Sequence, residues 1–91
     1  GKRPCILIVD PSVIQPLRYP TFIVVPLTTH LLDHVPLYPR IQKRAGELPF
    51  ESTALLDQIL AVDPIRVTGY IRVLNEQELI PIRAGLLRMF K

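Results

Sequence analysis

The chain has one cysteine, no tryptophan, two histidines and only four glycines in 91 residues. A single thiol excludes an internal disulfide framework, and without a signal-peptide pattern the expected compartment is the cytoplasm. Cys5 lies in the apolar run Cys5-Ile6-Leu7-Ile8-Val9 and reads as a buried, inert thiol. The scattered glycines form no phosphate-cradling loop, and no Gly-x-Ser-x-Gly elbow occurs. His30 and His34 have a helical ligand spacing but lack the further ligands a metal needs, so neither metal nor cofactor is expected. No apolar stretch nears the ~20 residues that span a bilayer.

What is present is apolar and rich in proline: 48% hydrophobic residues, 21% charged residues and ten prolines. That composition describes one globular domain, residues 1–91, with a core just large enough to fold and a premium on self-association. The charge is uneven. Residues 1–44 carry six basic and two acidic side chains, and residues 45–91 carry five and six. The basic half is the better face for a polyanion, with Arg18, Arg40, Lys43 and Arg44 as candidate backbone contacts.

The pattern predicts a mainly β fold. Pro4–Val9 reads as a strand, stopped by the Asp10-Pro11-Ser12 turn and followed by a proline-rich loop through Tyr19-Pro20. Thr21–Val25 is a second strand, with Pro26 marking an edge or a bulge. Thr28 and Thr29 follow it, placed either to hydrogen-bond at a rim or merely to close a turn. Val35–Gln42 is a short edge strand, and a basic turn spans 43–49. Ser52–Val62 reads as a long central strand bending across two faces, with a helix as the alternative. Asp63-Pro64 starts one short helical turn. Thr68–Leu74 reads as a last strand. Asn75 and Glu78 form a capping box for an amphipathic helix carrying Leu79, Ile82, Leu86, Leu87 and Phe90, kinked or delayed by Pro81. Short strands followed by one helix predict a small barrel with the helix packed outside.

The longest apolar run, Glu51–Asp63, carries Asp57-Gln58 at its centre. Polar groups there must find partners or face a site. With Arg3 before the first strand and Thr28-Thr29 after the second, they form the one constellation suited to phosphodiester chemistry. Metal-free RNA cleavage needs a base for the 2′-hydroxyl, an acid for the leaving 5′-oxygen and a cation for the phosphorane. Arg offers a permanent fork for phosphate oxygens, Thr or Asp can orient or accept a proton, and Gln can read a base edge.

Gly1-Lys2-Arg3-Pro4 with its strand, Pro20–Thr28 ending in Pro-Leu-Thr, and Glu51–Asp63 with Leu-Asp-Gln together resemble the MazF/PemK toxin family, in order and with compatible spacing. The resemblance implies an SH3-like barrel homodimer, the toxin of a toxin–antitoxin pair. It implies a metal-independent, sequence-selective endoribonuclease that leaves 2′,3′-cyclic phosphate and 5′-hydroxyl ends on single-stranded mRNA. It assigns Arg3, Thr28 and Asp57 to catalysis and Lys2, Thr29 and Gln58 to RNA binding, with a cognate antitoxin as partner. Against the family pattern, the chain is expected to lack a first strand and the loop that covers the RNA groove. Two alternatives are a CcdB-like gyrase poison without catalysis, whose tail would carry a tryptophan absent here, and an inactive RNA-binding member.

Overall fold

Strand β2 (Phe22–Thr28) is the element on which the others are assembled. The computed structural model describes residues 3–18, 20–32, 35–44 and 47–90. Lys2, Tyr19, His34 and the Ala45-Gly46 centre of the basic turn, all invoked above, lie outside them. β1 (Cys5–Leu7) pairs antiparallel with β2, and bonds at Leu27 N–Pro4 O and Ile8 N–Ile23 O carry the ladder from residue 4 to residue 8. On its other side β2 pairs with β4 (Ser52–Ala54) at one end and β5 (Leu60–Val62) at the other. β3 (Arg40–Ile41) closes the sheet on β4, giving the order β1-β2-β4-β3 with β5 beside β2. The result is a mostly β half-barrel with a C-terminal helix, as the sequence predicts.

The stretch read as one central strand is two strands separated by a 3-10 turn, Leu56–Gln58. The cause lies in β2. Leu55 N–H donates to the Pro26 carbonyl at 3.0 Å, but proline has no N–H to return the second bond of that pair. Released there, the opposing chain leaves the ladder for four residues, 56–59, and rejoins it at Leu60. The edge or bulge expected at Pro26 in the second strand does not form: β2 runs unbroken from Phe22 to Thr28 with partners on both sides, and the irregularity falls in the strand opposite. Leu56 is fully buried, while Asp57 and Gln58 are exposed.

Alternation sorts the sheet into two faces. Ile6, Val25, Ile41 and Ala54 point to the core, which Leu48, Leu56 and Ile82 complete. Helix α2 (Glu76–Met89) covers that core through Ile82, Gly85, Leu86 and Met89. Its inward stripe departs from the expected one: Leu87 and Phe90 are 71% and 69% exposed, and Gly85 and Met89 take their places. Pro81 sits inside the helix, which starts at Glu76 and is not delayed. A Cβ on Gly85 would overlap Leu56 Cδ1, so this glycine lets the helix seat directly on the residue that anchors the Asp57–Gln58 turn.

Four further readings are corrected. Cys5 is exposed, and partial burial pushes its thiol pKa up, which keeps it protonated. Pro11–Ile14 is a short helix, α1, capped by the Asp10 carboxylate, which accepts from the Ser12 hydroxyl at 2.7 Å and the Ser12 N–H at 2.9 Å; the hydroxyl bond first and the N–H bond second lower the Asp10 pKa. The edge strand shrinks to Arg40–Ile41, although Leu37 and Pro39 still accept from Leu56 and Ala54. Thr68–Leu74 is no strand. Tyr70 and Val73 are 78% and 75% exposed, whereas the Arg72 side chain is only 11% exposed.

Arg72 is drawn inward by two carboxylates. Its guanidinium forms a two-bond fork with Glu78, both bonds 2.7 Å, and its Nε lies 3.2 Å from Glu47 Oε2. Glu78 also completes the capping box with Asn75 that the sequence predicts. The Arg72 fork, ahead of that backbone bond, lowers the Glu78 pKa to about 2. A depressed carboxyl pKa stabilises the fold above its ordinary value and loses that contribution as pH falls through the folded value. Melting temperature should therefore drop between pH 4.5 and about 2. In Glu78→Gln, which keeps the cap but not the charge, this part of the drop should vanish, with about 2 kcal/mol less stability at neutral pH. Thermal melts of both proteins across that range check it; parallel curves would contradict the assignment.

Candidate functional site

The face of the sheet opposite the core carries a polar row. Thr53 pairs with Thr28 on one side and Arg40 on the other. Carried one step past the Pro4–Leu27 bond, the β1–β2 register would set Arg3 opposite Thr28. Paired residues share a face, so Thr28, Thr53 and Arg40 lie abreast across β2, β4 and β3, with Arg3, two residues ahead of β1, on the extension of that row. One position along the same face, the third strand's track presents Tyr38, whose hydroxyl donates to Asp57 Oδ2 at 3.1 Å.

Each member is held by its own local chemistry. Thr28 is half-buried, and its Oγ1 accepts the His30 N–H at 3.2 Å. It thus closes a turn and also stands at the rim, and with its oxygen accepting, its proton remains to be donated. Asp57 rides on the 3-10 turn that Leu56 pins into the core. Tyr38 is steadied by its own N–H bond to Val35 at 2.9 Å. The hydrogen bond to the Asp57 carboxylate raises the Tyr38 pKa and keeps the phenol a donor. Arg40 NH1 lies 3.7 Å from Glu51 Oε1, which Gln42 Nε2 also contacts at 3.2 Å. Thr53 is fully buried, and its Oγ1 has no hydrogen-bond partner.

Of the residues singled out from the sequence, Thr28 lies on this face, and Arg3 stands just ahead of β1, where the extended register would set it beside Thr28. Asp57 joins their face through Tyr38. Thr29 and Gln58 are exposed on either border, at the end of β2 and of the turn. Tyr38 and Thr53 were not singled out; both owe their place to pairing between distant segments. Chemically, the face offers a cation, a donor hydroxyl and a carboxylate with one oxygen engaged. Among the described residues no three His, Cys, Asp or Glu side chains cluster to hold a metal ion. No described helix is long and apolar enough to cross a membrane.

Similarity to known proteins agrees with this architecture. A solved chain described as the crystal structure of an Mtb toxin matches with a TM-score of 0.79 at 16% identity, over 99% of this chain and 94% of that one. At that identity the likeness speaks for the fold. Among curated proteins none matches the sequence. The family model for the PemK-like, MazF-like toxins of type II toxin–antitoxin systems matches residues 1–90. The chain therefore belongs to the PemK-like, MazF-like toxin family, and a type II antitoxin is its implied partner.

Proposed function

We propose that this toxin is a metal-independent endoribonuclease acting on single-stranded RNA in the cytoplasm, as a homodimer. The reading is supported by the β1–β2 register, whose extension past Pro4–Leu27 would set Arg3 opposite Thr28, and by the Tyr38 bond that holds Asp57. In the reaction, the 2′-oxygen attacks the adjacent phosphorus as its proton leaves to the Asp57 carboxylate. The bond from phosphorus to the 5′-oxygen breaks, and that oxygen takes up a proton from water. A 2′,3′-cyclic phosphate and a 5′-hydroxyl result. Arg3 neutralises the non-bridging oxygens, where charge builds in the transition state. Thr28 donates its hydroxyl proton to the same phosphate and fixes its orientation. Thr29, Gln58 and Lys2 contact the flanking nucleotides.

The dimer rests on area. The chain exposes 6945 Å², roughly 1,500 Å² more than a self-sufficient monomer of this mass. A stable interface takes about 800 Å² from each partner. Leu7, Leu60, Tyr70 and Val73 are among the large apolar side chains left open. The test is to incubate the protein with a long single-stranded RNA in EDTA and map the ends, with its mass measured by sedimentation. Restricted cuts bearing 5′-hydroxyls, from a species of twice the chain mass, are expected. Intact RNA alongside inhibited gyrase would replace this reading with a non-catalytic toxin, and a monomer would remove the dimer.

A further inference from the structure

Resting on the reading that the outer face receives RNA, we propose that Arg40 holds a second phosphodiester of the bound strand, at the opposite end of the polar row from Arg3. Three strand spacings separate the two arginines, about 14 Å between backbones. An extended single strand crosses that distance within a few nucleotides, so one strand laid along the row meets both cations. Its line is then fixed: across the strands, between the β1 edge and the β3 edge, past Thr28 and over the buried Thr53.

Three observations support this placement. Arg40 shares its face with Thr53 and Thr28 by register, not by mere proximity on the surface, and Arg3 lies on the extension of that row. Thr53 is fully buried, and its Oγ1 has no partner. An unsatisfied buried hydroxyl destabilises the free protein, and here it lies under the middle of the track. Finally, Arg40 leans on Glu51 at 3.7 Å with both side chains about a third exposed. A guanidinium presents five N–H donors in a planar fork, so it takes a phosphate oxygen beside a carboxylate. Glu51, itself contacted by Gln42, acts as a brake, because its negative charge opposes the incoming phosphate.

That last point gives a test with two signs. The probe is a single-stranded 2′-O-methyl RNA, which cannot be cleaved because its 2′-oxygen carries no proton. Its affinity is measured by fluorescence anisotropy over a range of salt concentrations for the wild type, Arg40→Gln and Glu51→Gln, with melting temperatures alongside. Arg40→Gln should weaken binding roughly fivefold for every sequence tried and reduce the salt slope by about 0.7, the share of one phosphate on a single strand. Glu51→Gln should tighten binding. Unchanged affinity and slope in Arg40→Gln would overturn the proposal while leaving the cleavage site standing. Both variants weakening binding in step with lost melting temperature would also overturn it, making the ion pair a structural brace. No binding by the wild type would remove the RNA reading of the face together with this one.

Discussion

Replacing Arg3 with alanine should lower RNA cleavage by about 10²- to 10³-fold, the usual loss when a preorganised donor to a developing oxyanion is removed. The fold should hardly notice. Arg3 is exposed, and the bond that holds the first strand to β2 beside it uses the Pro4 carbonyl and Leu27 N–H, not its side chain. A surface change of this kind shifts stability by within about 0.5 kcal/mol. Arg3→Lys should fall between the two, since an ammonium keeps the charge but loses the fork that grips two phosphate oxygens. Single-turnover rates with melting temperatures measured in parallel decide the matter. A wild-type rate in Arg3→Ala would take Arg3 out of the site, and Thr28 would lose its reason to be there.

The second large effect is expected at Leu56. Truncation to alanine should destabilise the protein by about 2–5 kcal/mol, out of the roughly 5–15 kcal/mol that holds a domain of this size together. Leu56 is fully buried and packs so closely on Gly85 that a Cβ there would overlap its Cδ1. Its loss leaves a hole between the 3-10 turn and helix α2 that neither backbone can easily fill. The turn carries Asp57 and Gln58, so cleavage should also fall at temperatures where Leu56→Ala remains folded. Asp57→Asn supplies the contrast: an exposed side chain, little change in melting temperature, and a loss of rate alone. Melts and rates on the two variants separate anchoring from chemistry. A wild-type melting temperature for Leu56→Ala would mean that the helix draws no support from this contact.

The features legible in the sequence were those written locally. The capping box needs only Asn75 and Glu78, three residues apart, and it forms as read. The two first strands announce themselves by β-branched runs, and both form. The misreadings share a different cause. Nothing within Ser52–Val62 says that the strand must break; the instruction is the missing N–H of Pro26, in another strand. Nothing within Thr68–Leu74 says that Arg72 turns inward; Glu47 and Glu78 decide it from both sides of the sequence. The site divides the same way. Arg3, Thr28 and Asp57 were suggested by family resemblance, whereas Tyr38 and Thr53 acquire meaning only when the register sets them beside those residues.

The interruption opposite Pro26 has a consequence for how this protein tolerates change in length. Because the chain leaves the ladder after Leu55 and rejoins at Leu60, the pairings on either side are set independently. β4 keeps its register with Leu27 and Thr28, and β5 keeps its own with Phe22, Ile23 and Val24. Within an unbroken strand, one added residue would turn every following side chain to the wrong face. Here an added residue beside Asp57 or Gln58 is taken up by the exposed turn, so the segment nearest the proposed chemistry can be lengthened or recast while the barrel stays in frame.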